Sequence, residues 1–130
     1  MSRKKILLAD DAKTVLMMEQ MILNQPEFQL LTAHDGQQAV DIALAEAPDL
    51  ILLDVIMPNM TGIEACERLR QEPATKNTPI LMVTTRSETD YIEQAQRAGC
   101  SDYVTKPIDA ALLLRKVREW LERSAGEVSS

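Results

Sequence analysis

The chain has 130 residues, 45% of them hydrophobic and 26% charged, with a formal net charge of −6. That is enough for one domain with a real core, and the composition is neither disordered nor fibrous. The acidic balance argues against direct nucleic-acid binding, which needs a basic face. The two cysteines, Cys66 and Cys100, form no CxxC pair and have no histidine beside them, which speaks for a reduced, cytoplasmic setting rather than a disulfide framework or a zinc set. Met1 to Lys5 is basic, but the apolar run that follows, Ile6 to Ala9, is too short for a signal peptide. No stretch is long enough to insert into a membrane.

The first predicted element is a short apolar strand, Lys5 to Ala9, that runs into Asp10-Asp11. A helix follows over about Ala12 to Asn24, with Val15, Met18 and Ile22 at helical spacing, and Pro26 stops it. Its apolar residues, with Leu16, Met17, Met21 and Leu23 added, are too many for one buried stripe, so some are expected at the surface, either as adaptable docking area or as methionine tolerated beside a broad core face. Phe28 to Ala33 is a second strand, and His34-Asp35-Gly36 is a tight reversal. A helix over Gln37 to Ala47 closes at Pro48. Leu50 to Leu53 is a third strand whose unbroken apolar run suits burial on both faces, and Asp54 stands at its end. Thr61 and Glu64 carry the capping-box spacing for a third helix to about Gln71.

Pro79 to Val83 is a fourth buried strand ending at Thr84-Thr85. Ser87 is the expected cap of a helix over Glu88 to Ala98, which Gly99 ends. Asp102 to Val104 is a short fifth strand, Lys106-Pro107 follows, and a last helix runs from about Asp109 to Arg123. The domain is thus expected over residues 1–123, with 124–130 a polar, fraying tail. Strand and helix alternate five times at βαβ spacing, which predicts an α/β fold: a parallel five-stranded sheet with helices on both faces.

In such a sheet all strand C-termini share one edge, where ligands bind. Asp10, Asp11, Asp54, Thr84 and Lys106 all fall there. Clustered carboxylates repel one another and call for a cation. Hard oxygen ligands with room for water suit Mg²⁺. A nucleophilic aspartate beside Mg²⁺ and a lysine is equipped for phosphoryl transfer, and no GxxxxGK[ST] loop points to a nucleotide.

Four segments, LLADD (Leu7 to Asp11), DLILLDVIMPNMTG (Asp49 to Gly62), PILMVTT (Pro79 to Thr85) and GCSDYVTKP (Gly99 to Pro107), together resemble the CheY-like receiver domains of two-component response regulators. The resemblance implies a flavodoxin-like, doubly wound sheet in the order 2-1-3-4-5, an order for which the chemotaxis receiver is a standard example. It implies that Asp54 accepts a phosphoryl group from a phosphohistidine on a sensor histidine kinase or histidine phosphotransfer protein. Asp11 would hold Mg²⁺ directly, with Asp10 in support and the backbone carbonyl of Ile56 as a further ligand. Lys106 would pair with Asp54 and then with the phosphoryl group. Thr84 would move to that group, and Tyr103 would act as the aromatic switch. Lys106–Pro107 is expected to be cis. Phosphorylation would then shift the α4–β5–α5 surface between two arrangements that a downstream protein reads.

Two positions depart from common polar types: Ile56, two after Asp54, and Arg86, two after Thr84. Ile56 cannot orient a water, so slow loss of the phosphoryl group is expected. Arg86 either meets that group or points to solvent. The resemblance implies a signalling module rather than a turnover enzyme. A haloacid-dehalogenase-type phosphatase is disfavoured because no DxD is present, and an FMN-binding flavodoxin because no Ser/Thr-rich loop follows the first strand. Cys66 and Cys100 are read as small buried hydrophobes, and His34 as a turn residue with a structural or solvent role rather than a ligand or phosphoryl carrier.

Overall fold

The computed structural model describes residues 3–85 and 89–129. Five strands alternate with five helices: β1 (Lys4–Ala9), α1 (Lys13–Ile22), β2 (Phe28–Ala33), α2 (Gly36–Glu46), β3 (Leu50–Asp54), α3 (Gly62–Gln71), β4 (Ile80–Thr85), α4 (Thr89–Ala98), β5 (Asp102–Lys106) and α5 (Ala110–Ser129). All pairings are parallel and the order is β2-β1-β3-β4-β5. This is the doubly wound, flavodoxin-like order expected from the resemblance.

The unbroken apolar strands follow from burial on both faces. Ile6, Leu8, Leu50, Leu52, Leu81 and Val83 pack with Leu16 and Leu23 near α1 and with Leu113 and Val117 of α5. Their neighbours Leu7, Ile51, Leu53, Ile80 and Met82 face the other way, onto Val40, Ala65, Leu69 and Ala95 of α2, α3 and α4. All four apolar residues of β3 are fully buried. At about 1.5–3 kcal/mol for each such side chain, β3 anchors the sheet.

Local chemistry sets the element ends. Thr61 accepts from the Glu64 amide at 3.2 Å while the Glu64 carboxylate accepts from the Thr61 amide at 3.1 Å, the expected capping box. Asp35, read as a turn residue, also caps α2 by accepting from the Gln38 amide at 2.8 Å. Gly99 ends α4 with φ 101°.

Two expectations about helices change. The buried stripe of α1 is Leu16 and Glu19, continued by Leu23, whereas Met18 is 47% exposed beside exposed Met17 and Met21. A helix with apolar residues on several sides buries the side its neighbours dictate, and that choice is invisible locally. The last helix continues past Arg123 to Ser129. No proline follows Arg123, and one glycine, Gly126, costs a helix only about 1 kcal/mol. The Ser87 cap falls outside the described residues. Among the described residues no helix is long and apolar enough to cross a membrane.

Candidate functional site

Strand register assembles the site. Ala9 pairs with Leu53, so Asp10 and Asp54 leave adjacent strands at one level. Asp54 pairs with Val83, Thr84 with Thr105 and Thr85 with Lys106. Side chains alternate between faces along each strand. Asp10, Asp54 and Lys106 therefore share the face of Leu8, Leu52 and Val104, toward α1 and α5. Thr84 and Tyr103 share the opposite one, with Met82, toward α2, α3 and α4. The candidate acidic and basic groups thus meet; Thr84 lies on the far side of the same edge, and Tyr103, paired with Met82, lies on that far side two positions further from the edge.

The Lys106 ammonium is 3.1 Å from Asp54 Oδ1 and 3.4 Å from Asp10 Oδ2. Asp10 is fixed by its other oxygen, which accepts from the Ala12 amide at 2.9 Å. One carboxylate oxygen each from Asp10, Asp11 and Asp54 lie within 4.8 Å of one another. Asp10 and Asp54 are buried, while Asp11 is open to solvent. Asp10 Oδ2 is buried without a hydrogen-bond partner, the Lys106 contact being an ion pair rather than a well-aligned hydrogen bond. Hard oxygen donors, an unsatisfied buried anion and one solvent-facing carboxylate fit a hydrated Mg²⁺.

Electrostatics point the same way. Burial, then the charge of Asp10, push the Asp54 carboxyl up to about 6 against the pull of Lys106. Burial also raises Asp10, opposed by the Ala12 amide and Lys106. Burial works against the Lys106 ammonium, but its hydrogen bond to Asp54 and the two carboxylate charges outweigh that and raise its pKa. The pocket holds more negative charge than its single lysine neutralises, so a divalent cation would relieve it.

The loop after Asp54 is held from both sides. Val55 and Met57 are buried and Ile56 between them is 49% exposed, so the Ile56 side chain faces out over the edge. The Gly62 amide donates to the Val55 carbonyl at 2.8 Å, and Asn59, at φ 68°, donates through its side chain to Asp35 at 3.0 Å. Gly62 runs so close to Asp54 that a Cβ there would overlap the Asp54 carbonyl oxygen.

Thr84 is buried, and its hydroxyl donates to the Thr85 carbonyl at 3.3 Å. Tyr103 is half-buried against the core, with the Lys116 ammonium 5.3 Å from its ring centroid and 2.7 Å from its carbonyl oxygen. The Lys106–Pro107 peptide is cis. Arg86 lies outside the described residues. Cys66 is fully buried as expected, Cys100 only half-buried, and His34 is exposed.

Sequence reasoning missed Glu19, a carboxylic acid buried on the inner side of α1. Its place three residues after Leu16 and four before Leu23 was the available signal. It also missed Arg70, whose guanidinium donates to the carbonyls of Gly99 (2.8 Å), Thr75 (3.1 Å) and Thr78 (2.7 Å). Asp102 was likewise read only as a strand start. It accepts from Lys116 at 3.1 Å and from the Trp120 indole at 3.0 Å.

A doubly wound sheet with an acidic pocket and a facing lysine at its C-terminal edge defines a CheY-like α/β module. Over residues 6–118 the sequence matches the response regulator receiver domain, and the chain belongs to that family of two-component signalling proteins. It is 35% identical over 114 residues to protein PilH of Pseudomonas aeruginosa, covering 87% of this chain and 93% of PilH. It is 40% identical over 121 residues to the transcriptional regulatory protein CpxR of Escherichia coli, covering 92% of this chain and 50% of CpxR. The solved receiver domain of the sensor histidine kinase PA1611 of P. aeruginosa, which has a magnesium ion coordinated in its active-site cleft, superposes with a TM-score of 0.86 at 27% identity. That match covers 93% of this chain and 99% of the other. The chain spans only a quarter to a half of the length of several curated relatives it matches.

Proposed function

We propose that the protein receives a phosphoryl group on Asp54 from a phosphohistidine of a sensor histidine kinase or histidine phosphotransfer protein. The observation that carries this is the Lys106 ammonium, 3.1 Å from Asp54 and 3.4 Å from Asp10 at the strand ends. An Asp54 oxygen attacks phosphorus. The bond from phosphorus to the donor imidazole nitrogen breaks, its electron pair stays on nitrogen, and solvent supplies the proton. Lys106 then pairs with a phosphoryl oxygen. Asp11, Asp54 and the Ile56 carbonyl would hold Mg²⁺, with Asp10 in support; when bound, the ion supplies charge neutralisation and orientation.

The phosphoryl group would draw in the Thr84 hydroxyl and turn Tyr103, shifting the α4–β5–α5 surface toward the arrangement a downstream protein binds. The outward-facing Ile56 side chain supports a slow loss of the group, since it offers no hydrogen bond to an attacking water. Arg86 is the second position assigned to that lifetime. The exposed methionines of α1, with Ile22, Ile108 and Ala110, form an apolar groove beside the pocket that suits a docking donor. The protein acts as a signalling module, not a turnover enzyme, in the cytoplasm.

Beryllofluoride, which mimics a phosphoryl group, tests the reading. With Mg²⁺ it is expected to shift amide resonances around Thr84 and Tyr103 in the wild type and to do nothing in Asp54→Ala. Absence of any Mg²⁺ binding would overturn the reading. Sustained turnover of a small phosphate ester would replace it with a phosphatase.

A further inference from the structure

β5 closes the strand order on one side, so one edge of its backbone faces away from the sheet. Carbonyls on an open strand edge need donors from elsewhere. At Tyr103 the donor comes from α5: the Lys116 ammonium donates to the Tyr103 carbonyl at 2.7 Å. It also donates to Asp102 Oδ1 at 3.1 Å. The Tyr103 amide donates to that same oxygen at 2.8 Å, and the indole of Trp120, one helical turn beyond Lys116, donates to Asp102 Oδ2 at 3.0 Å. The ammonium is thus fixed by a carboxylate and a backbone carbonyl, and neither is part of the Tyr103 ring.

An ammonium has three N–H donors, and two of them are placed. The Tyr103 ring is its next neighbour, with the centroid 5.3 Å away. The ring quadrupole attracts a cation at that distance, more strongly where both are partly withdrawn from water. Two environments therefore compete for the half-buried ring. One is the cation at the open edge of β5. The other is the α4 side of the sheet, where Met82 pairs with Tyr103 and Thr84 stands two positions further along. The hydrogen bonds of Lys116 survive a turn of the ring, because they run to the backbone and to Asp102. Its contact with the ring does not.

We propose that Lys116 is a positioning residue for Tyr103, a fixed cation that holds the ring at the open edge of β5 and so favours the unphosphorylated arrangement. The inference rests on the receiver reading and deepens it by naming what opposes the turn of Tyr103. A contact made in one of two arrangements shifts the equilibrium by its own strength and no more. The phosphoryl group has to outweigh that contact, and removal of Lys116 supplies part of the shift without it.

Titration with beryllofluoride at saturating Mg²⁺, read at the Thr84 amide resonance, tests this on wild type, Lys116→Met, Tyr103→Leu and the double variant. Lys116→Met is expected to tighten beryllofluoride binding about two- to fivefold in the wild-type background, because more of the protein already stands in the competent arrangement. In the Tyr103→Leu background, with no ring to hold, the same substitution is expected to leave the affinity unchanged. Lys116→Arg keeps a cation beside the ring and should bind as the wild type does. Unchanged or weaker binding by Lys116→Met would overturn the proposal. Equal tightening in both backgrounds would overturn it too, since the lysine would then act through Asp102 or the backbone and not through the ring. So would tightening by Lys116→Arg as large as that by Lys116→Met. Should the wild type give no response to beryllofluoride with Mg²⁺, the receiver reading fails; should it respond and Lys116→Met bind no tighter, only the role of Lys116 fails.

Discussion

The two edges of the sheet are built on opposite terms. At the N-terminal edge every prominent polar group has its partner. Arg70 spans the carbonyls of Thr75, Lys76, Thr78 and Gly99, Asp49 accepts from the Lys5 amide at 2.8 Å, and Ser101 Oγ accepts from the Ile80 amide at 3.0 Å. At the C-terminal edge, Asp10 and Asp54 share one lysine, Asp10 Oδ2 has no hydrogen bond and the carboxyl pKa values are raised. One edge contributes stability. The other holds unbalanced charge that a ligand can settle, and it costs the fold something while it waits.

The contrast can be broken from the stable side first. Arg70→Met removes donors to several partly buried carbonyls at once and is expected to lower unfolding stability by about 3 kcal/mol in urea denaturation. A loss under about 1 kcal/mol would mean that the N-terminal edge is no better tied than the other.

The second test uses pH on metal-free protein. Asp54 is raised from 3.8 to about 6 and Glu19 from 4.5 to about 8, both first by burial. As pH rises the unfolded chain gives up these protons first, so from about pH 4 to pH 8 the folded state holds more of them. By linkage, stability falls as pH rises through that window. After discounting for solvent on the open side of the pocket, the fall is on the order of 2 kcal/mol. Asp54→Asn should flatten the lower part of the thermal-stability profile and Glu19→Gln the upper part. A profile that rises with pH over this range would contradict the reading of the acid edge as strained.

The smallest effect is a control away from the charged groups. Thr61→Ala breaks the α3 capping box and should cost about 1 kcal/mol with no change in the pH profile. A changed profile would show that the loop after Asp54 transmits strain into the pocket.

Much of this was legible in the sequence because it depends on local pattern. The apolar run at Leu50 to Leu53, the Thr61–Glu64 spacing, Gly99 and the acidic pair after the first strand each have a short-range signature. The gathering of Asp10, Asp54, Thr84 and Lys106 followed from parallel strands alone. What stayed hidden depends on partners far away in the chain. Which side of α1 is buried is decided by the sheet and α5, so Glu19 drew no notice and Met18 was set on the apolar spacing with Val15 and Ile22. Arg70 drew no notice because its partners, Thr75 to Ser101, converge only in the folded chain. Arg86 gains nothing from the structure, lying outside the described residues.

Strand alternation puts Asp54 and Lys106 toward one side of the sheet and Thr84 and Tyr103 toward the other. A donor coming in along α1 and a reader resting on the α4 side would therefore stand back to back. Neither would have to leave for the other to arrive, so reading the message need not wait for the messenger to depart.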